Sequence, residues 1–580
     1  MFIYKNSFLH SMRNLEVARI FYRIADILEL QGVEFKPRAY RHAAQAIESL
    51  SQDIQDLAAK GELDNIPGVG KSIAEKITEL LKTGKLSYYE KLKKQVKINL
   101  EELEAIPSLG PKKIKMLYDT LKIKNIKDLE KAIQRHQLRT LKGFGEETEK
   151  KLLEGIKFVQ SSPQRMLYAQ AAPIVADVKR RLQQLAVVKK IEIAGSFRRG
   201  KETVGDLDFL AISSQPEKVM FAFTHLPDTQ SILASGNTKS SIRLQNSLQL
   251  DLRVVKEKEF GSAMNYFIGS KEHNVELRKL ALSKGYTLSE YGLFTLKDKR
   301  WIAGRTEEEI YRKLGLQYIP PELRENTGEM IAAQKKDLPN LITQKDIKGV
   351  FHNHSTWSDG NASLLEMAQE AERLGFKFIS FNDHCGQVGI TNPITEKRLA
   401  SYLKEIEKVR KKVGLRVFSG LEVDILKDGT LPLPKAKLKE LDVVIASVHL
   451  AQGMKEAEMT QRVCRALETF PVNILGHPTG RLLNQRPPME LNLNKVFAVA
   501  KERNVFMEIN SSPARMDLSG LQVKAGLQQG CKFTLSTDAH DKHHLAGYEY
   551  GVLSARRGWL EQKDLLNCWS LPKIEKALEK

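Results

Sequence analysis

Cysteine is scarce in this chain: four in 580 residues, Cys385, Cys464, Cys531 and Cys568, with no Cys-x-x-Cys pair among them. That scarcity excludes a disulfide-stapled scaffold and a zinc knuckle, and it fits a reducing compartment. Long apolar runs are also missing. No stretch reaches the roughly 18 consecutive apolar residues of a membrane-crossing helix, and no charged segment leading into a long apolar core opens the chain. The expectation is a soluble, cytoplasmic protein with no membrane partner. Negative charge is in deficit, since 71 Asp and Glu against 91 Lys and Arg leave a formal net charge of +20. A basic excess of that size calls for a polyanionic partner, nucleic acid first. The length predicts several domains, because single cores seldom grow past about 250–300 residues.

What is present begins with helices. NLEVARIFYRIADILELQG carries apolar residues at helical spacing up to a stop at Gly32, and PRAYRHAAQAIESL repeats the pattern from Pro37. The first eleven residues add no periodicity, and Met12 reads as an alternative start. Three related units follow: IPGVGKSIAEKITELL (66–81), IPSLGPKKIKMLYDTL (106–121) and LKGFGEETEKKLLEGI (141–156). Each is an apolar residue, a tight turn ending in Gly, then an amphipathic helix, which is the grammar of a helix-hairpin-helix. Glycine lets the backbone approach a phosphate, and the amides at the next helix start bind it. Such contacts position nucleic acid without reading bases. Gly68, Gly70, Lys71 and Lys76 in the first unit and Gly110, Lys112 and Lys113 in the second are the candidate DNA contacts. The third, with Glu146 and Glu147 after its Gly, reads as structural.

The central segment IEIAGSFRRGKETVGDLDFLAI (191–212) reads as two strands around a Gly-Ser turn and a double Arg. Asp206 and Asp208 are two apart in a strand, so both carboxylates share a face. Paired like charges are unfavourable without a cation, and a divalent metal is the simplest one. SLQLDLRVV (247–255) supplies Asp251 on a strand expected to lie alongside. Three carboxylates on adjacent strands can hold two Mg²⁺ about 3.5–4 Å apart, the arrangement of in-line phosphoryl transfer. A lone Asp-x-Asp is ordinarily a solvated edge; Gly195-Ser196, the arginines and Asp251 distinguish this one.

EKVMFAFTHL (217–226) reads as a helix, and GSAMNYFIGSKEHNVELRKL (261–280) as an apolar-aromatic turn, Tyr266-Phe267, before a polar helix. Either aromatic can stack a base or a sugar. Between 315 and 345 three prolines and alternating charge mark a boundary.

Beyond 345 short apolar strands alternate with amphipathic helices, the pattern of a β/α barrel. Polar residues collect at successive strand ends: His352, His354 and Asp359, then Asp383 and His384, Glu422, His449, His477, Glu508 and Asn510, and Asp538 and His540. Barrels of this kind place their sites at the C-terminal strand ends. Imidazoles and carboxylates are ligands for Zn²⁺, Mn²⁺ or Fe²⁺, and this set fills a two- or three-metal centre whose chemistry is hydrolysis of a phosphoester. Asp383 and Asn510 are expected to orient ligands, His543 and His544 to be bystanders, and Asp424 is left out of the set.

GSFRRG, GDLDF, DLRVV, YFIGS, H-x-H-x-x-x-SDG and STDAH occur in that order, and the chain from about residue 12 to 575 resembles a bacterial family X DNA polymerase fused to a polymerase-and-histidinol-phosphatase (PHP) domain. The resemblance implies a helical N-terminal domain with helix-hairpin-helix motifs, an α+β nucleotidyltransferase palm and fingers, and a distorted (β/α)7 PHP barrel. The expected partition is 1–90 and 91–160 for the helical domains, 161–256 for the palm, 257–318 for a nucleotide-selection subdomain, 319–344 for a linker and 345–575 for the barrel. It makes Asp206, Asp208 and Asp251 the catalytic carboxylates holding Mg²⁺. Gly195, Ser196, Arg199 and Gly205 would line the incoming dNTP's triphosphate; Tyr266, Phe267 and Gly269 would contact its sugar, and Asn274 the base edge or minor groove. Lys271 stands where some animal relatives carry Asp, and would pair with the nucleotide phosphates. Lys76 and Tyr40 match a lyase pair of the animal type, but Ser72 replaces a second phosphate-binding lysine, so Lys76 is read as a phosphate contact. For the barrel the resemblance implies a 3'-5' exonuclease using Mn²⁺ or Zn²⁺ on His352, His354, Asp359, His384, Glu422, His449, His477, Asp538 and His540, with Val350-Phe351 where an Asp-Leu pair is usual. The implied role is gap filling in DNA repair by a monomer acting on gapped or primer-template DNA.

Overall fold

The computed structural model describes residues 14–579 apart from 15–16, 19, 49–53, 67, 96–97, 105, 107–108, 142, 162–164 and 387–390. The first eleven residues and the Met12 start therefore lie outside the described residues. The chain divides into two compact units near residue 163.

The first unit is helical. Its helices include Lys36–Glu48, Lys71–Thr83, Pro111–Leu121, Ile126–Gln134 and Glu146–Ser161. One apolar cluster, from Val17 through Ile77 and Ile114 to Ile156, runs beneath all three repeats. Each repeat closes with the same short turn: the amides of Val69, Leu109 and Phe144 donate to the carbonyls of Ile66, Ile106 and Leu141 at 2.9, 3.2 and 3.0 Å. In the first and third of these four-residue turns Gly68 (φ +80°) and Gly143 (φ +87°) take the left-handed position.

The second unit opens with a small ladder of β1 (Met166–Leu167) on β3 (Thr203–Val204). A five-stranded sheet follows, ordered β2 (Val188–Ile193), β4 (Asp206–Ser213), β7 (Gln249–Val255), β6 (Lys239–Leu244) and β5 (Thr229–Ser235). Period-two alternation sorts β4. Leu207, Phe209 and Ala211 pack with Val175, Val178, Val219 and Phe223 of helices Tyr168–Gln183 and Pro216–Thr224. Asp206, Asp208 and Leu210 take the other face, where Leu210 meets Phe260 and Met264. β4 and β7 are parallel, with Asp208 opposite Asp251.

The next subdomain pairs helices Phe260–Ile268, Lys271–Ser283 and Glu307–Lys313 with an antiparallel sheet of β8 (Tyr286–Ser289), β9 (Gly292–Thr295) and β10 (Trp301–Ala303). Two expectations are corrected here. Tyr266 and Phe267 close the helix Phe260–Ile268 and do not form a turn. The supposed linker 319–344 is folded: Ile319, Leu323, Ala333 and Leu341 share an apolar cluster with Leu277 and Ile310. Its charges are paired inside. Glu329 is fully buried on His273 Nδ1 at 2.7 Å, and Arg324 is buried on Glu307 and on the Ile319 carbonyl.

The last region is an all-parallel sheet of β11 (Gly349–Asn353), β12 (Phe378–Phe381), β13 (Asp383–Cys385), β14 (Arg416–Phe418), β15 (Gly420–Asp424), β16 (Val443–Ser447), β17 (Ile474–Leu475), β18 (Phe506–Asn510) and β19 (Phe533–Ala539). β12 and β13 are one strand broken at Asn382, and β14 and β15 one strand broken at Ser419. β12 pairs with β14 and β13 with β15, so the two broken strands close the ring from β11 through β16–β19 and back to β11. The result is a seven-strand distorted barrel. The breaks bend two strands over its mouth, and His384 and Glu422 sit just beyond them.

Candidate active sites

The palm site is built on two strands and one turn. Asp206, Asp208 and Asp251 project from one sheet face, Asp206 exposed and the other two partly covered. Burial raises the Asp208 carboxyl to about 7, and the charges of Asp206 and Asp251 push in the same direction. Asp251 is oriented by the Ser241 hydroxyl and by the Gln249 amide, which donates at 2.9 Å. Gly195 turns over this face at φ +62°, where a Cβ would stand 2.5 Å from Asp208 Oδ2. Any side chain there would have to displace the Asp208 carboxylate. Next to it the Ser196 hydroxyl is buried with no hydrogen-bond partner. Three carboxylates of shared charge and an unpaired buried hydroxyl suit divalent cations and an oxyanion.

Arg199 is nearly buried; its Nε donates to Glu325 at 2.7 Å and its Nη1 to the Ile268 carbonyl. Gly205 lies against Arg165, whose guanidinium donates to the Thr203 carbonyl at 2.8 Å. The Asn274 amide locks the end of the aromatic helix by donating to the carbonyls of Tyr266 (2.7 Å) and Gly269 (3.2 Å), and Gly269 has no room for a Cβ against Asn274. Phe267 lies under Arg253, 4.6 Å from ring centre to guanidinium. Lys271 is exposed at the start of its helix.

The barrel mouth gathers all nine residues expected there. Three groups have ligand atoms within 4.8 Å of one another: His354, Asp359, His384 and His540; His352, His354 and Asp538; His384, Glu422 and His449. His477 joins through Glu422, 2.8 Å away. His543 and His544 fall in none of these groups. Burial would raise the Glu422 carboxyl, but His352, His449 and His384 hold it well below the usual range. Burial and the neighbouring His540 and His384 drop His354 to about 3. His449 rises to about 10 against its burial, through Glu422 and Asp424. Both ring nitrogens of His354 and Oδ1 of Asp359 are buried without a hydrogen bond. His354, kept neutral with both nitrogens free beside carboxylates, has the chemistry of a metal ligand. The backbone is left-handed at His352 (φ +60°), His477 (φ +24°) and Asp538 (φ +50°). Each such residue costs of order 1–3 kcal/mol, a strain that concentrates at working sites.

Around these nine sit further polar residues. Glu508 accepts from His352 Nδ1 at 2.6 Å, and Asp424, which was set aside, holds His449 Nδ1 at 2.5 Å. Carboxylates on the far nitrogen fix the tautomer that leaves Nε2 for a metal. Asp383 accepts from the amides and hydroxyls of Ser355 and Ser358, and Asn510 donates to Glu508 and Asp538. Arg515 reaches Asp538 at 3.4 Å with a buried Nη1 that makes no hydrogen bond, a cation facing the mouth that no strand-end rule points to.

In the helical unit Gly70 and Gly110 are extended N-caps, of helices Lys71–Thr83 and Pro111–Leu121. Lys71 is exposed and Lys112 lies in the first turn of its helix; Lys113 lies over Phe144. Lys76 donates to the Ser72 hydroxyl at 2.8 Å and lies over Tyr88. The third repeat's Glu149 is buried on Arg139 and His136, in keeping with a structural part. No helix among the described residues is long and apolar enough to cross a membrane.

Comparison with known proteins follows the same division. Residues 12–86 match a helix-hairpin-helix domain, 100–157 a SAM-like helix-hairpin-helix tandem, 263–325 the DNA polymerase beta thumb and 351–512 the PHP domain. The chain is 35% identical over 573 residues, 98% of its length, to the whole of the DNA polymerase/3'-5' exonuclease PolX of Bacillus subtilis (strain 168). It is 28% identical to DNA polymerase lambda of Rattus norvegicus over 55% of this chain and 56% of that protein. A probable phosphatase of Thermoanaerobacter sp. (strain X514) is 28% identical over 37% of this chain and 88% of its own length. With its carboxylate-bearing palm, its helix-hairpin-helix repeats and its histidine-lined barrel, the chain belongs to the bacterial family X DNA polymerases that carry a C-terminal PHP domain.

Proposed function

We propose that this protein fills short gaps in DNA during repair and trims or cleans 3' ends with its barrel, as a cytoplasmic monomer. The observation that carries the polymerase reading is the parallel register of β4 and β7, which sets Asp208 beside Asp251 on the face carrying Asp206. These three carboxylates would hold Mg²⁺, which when bound neutralises charge on the phosphates and activates the attacking oxygen. Gly195 brings backbone close to the carboxylates, and Ser196 offers its unpaired hydroxyl to the triphosphate. Arg199, Gly205 and Lys271 face the nucleotide phosphates in this reading. Tyr266, Phe267 and Gly269 meet the sugar, their shape held by Asn274. Gly68, Gly70, Lys71, Lys76, Gly110, Lys112 and Lys113 grip the DNA backbone.

In the barrel, His352, His354, Asp359, His384, Glu422, His449, His477, Asp538 and His540 would hold two or three Mn²⁺ or Zn²⁺. Glu508 and Asp424 orient two of the imidazoles, and Arg515 is placed to pair with the scissile phosphate. The domain partition read from the sequence stands as part of this proposal, except that 319–344 belongs with the folded subdomain before it.

A fill-in assay on one-nucleotide gapped DNA tests the polymerase half. The unmodified protein extends; Asp206→Ala and Asp208→Ala do not, and they still trim 3' ends. His352→Ala shows the reverse. The barrel-wide similarity to the probable phosphatase favours a second reading, hydrolysis of small phosphomonoesters. Turnover of such a substrate with no cleavage of DNA would establish it in place of the exonuclease.

A further inference from the structure

Glu325 stands where three parts of the second unit meet. It follows Arg324, which is locked in place by Glu307, by the Ile319 carbonyl and by its own carbonyl accepting from Ser270 N at 3.1 Å. From that fixed backbone the Glu325 carboxylate takes Arg199 Nε at 2.7 Å on Oε1 and Lys201 Nζ at 3.3 Å on Oε2. A third cation comes from the barrel. Arg557, the last residue of helix Tyr548–Arg557, places Nη1 3.3 Å from Glu325 Oε1 and donates to the Arg199 carbonyl at 3.2 Å.

The side chains of Arg199, Glu325 and Arg557 are 11, 16 and 7% exposed, so the group is largely withdrawn from water. Burial would raise the Glu325 carboxyl, but Arg199 and Arg557 hold it below its ordinary range. The surrounding fit is close. At Gly200, between Arg199 and Lys201, a Cβ would lie 3.2 Å from Leu553 on the barrel helix, and at Gly520 a Cβ would lie 2.4 Å from Arg557 Cβ. Arg557 is therefore held from behind while its guanidinium faces the palm turn.

A single carboxylate beside a triphosphate subsite would repel the nucleotide unless its charge were offset, and it would draw Arg199 out of position unless its own place were fixed. Arg557 does both. We propose that Arg557 of the barrel is a positioning residue for nucleotide binding in the palm, acting through Glu325 on Arg199. The inference rests on the reading of Arg199 as a triphosphate contact. It makes the barrel part of the polymerase site's support, in addition to its own chemistry.

The test uses the full-length protein, single-nucleotide extension on gapped DNA for KM and kcat, and 3' trimming as a readout of the barrel's integrity. Arg557→Met is expected to raise KM for the dNTP roughly 5- to 30-fold, the range for members of one ion-pair network. kcat and trimming stay within about twofold, and Arg557→Lys recovers most of the loss. In a Glu325→Gln background the same substitution adds less than about twofold, because the intermediary has gone. Full additivity there, or an unchanged KM in Arg557→Met, overturns the proposal. Should Arg557→Met lose trimming as well, Glu325→Gln alone decides: it leaves the barrel helix intact, must raise KM, and refutes the proposal if it does not. Arg199→Ala separates the two levels. If it leaves KM unchanged, the nucleotide reading of Arg199 fails; if it raises KM while Arg557→Met does not, only the present inference fails.

Discussion

Replacing Gly195 by alanine adds one methyl group, and the structure says where it goes. At φ +62° the new Cβ stands 2.5 Å from Asp208 Oδ2, about 1 Å short of ordinary van der Waals contact. Two costs follow. Holding alanine in the left-handed region costs about 1–2 kcal/mol of stability. The carboxylate must also yield, since the backbone beside it is tied down by Ala194 N donating to the Asp208 carbonyl at 2.8 Å. A displacement near 1 Å at a reacting centre costs on the order of 10²-fold in rate. Gap-filling extension by Gly195→Ala should therefore fall about 100-fold, with 3' trimming unchanged and a melting temperature a few degrees lower. Gly285→Ala is the control. Gly285 has φ +78° with no atom within 4 Å of its Cβ, so it carries the same backbone strain without the collision and should lose stability alone. Extension by Gly195→Ala at close to the unmodified rate, or an equal loss in Gly285→Ala, would refute the placement of Asp208 at the reacting centre.

Other perturbations separate the two sites. The Asp208 carboxyl lies at about 7 in the folded protein and near 3.8 when unfolded. A raised folded-state value means the native protein holds the extra proton between these limits. Metal-free stability should fall as pH rises from about 4 to about 7, and thermal denaturation of Asp208→Asn should lack that component. Glu422→Gln removes the carboxylate shared by five imidazoles; trimming should drop roughly 10²–10³-fold, and metal-free stability by about 3–5 kcal/mol, with extension preserved. Trimming at the normal rate would place the chemistry elsewhere. Asp424→Asn should weaken metal affinity of the barrel about 10–100-fold, measured by titration calorimetry with Mn²⁺; unchanged affinity would mean that His449 needs no orienting partner.

The alternating pattern made the palm legible. Asp206 and Asp208 share a face because strands alternate, and Asp251 had to lie on a strand whose apolar residues alternate in the same phase. The barrel was legible because its histidines and carboxylates recur at the ends of successive apolar strands. Patterning failed where charge is buried in pairs. Arg324 and Glu329 lie in a stretch whose prolines and charges read as a tether, since a sequence window counts each charge as solvated and cannot see its partner, Glu307 or His273, 17 or 56 residues away. Asp424 stayed outside the set, and Glu508 stood in it without its orienting role, for a related reason: they act on the far side of imidazoles supplied by other strands. The Arg199–Glu325–Arg557 group spans 358 residues of chain between Arg199 and Arg557, a separation over which no local periodicity carries information.

The central claim is that one chain holds two separate phosphoryl-transfer sites, each dependent on divalent metal. An anomalous-difference map at the manganese edge, from crystals grown with Mn²⁺, gapped DNA and a dNTP, tests it most directly. The account predicts peaks among Asp206, Asp208 and Asp251 and a second set of two or three among the histidines and carboxylates at the barrel mouth. A map with peaks at only one of these places, or with neither set ligated by these residues, would contradict it.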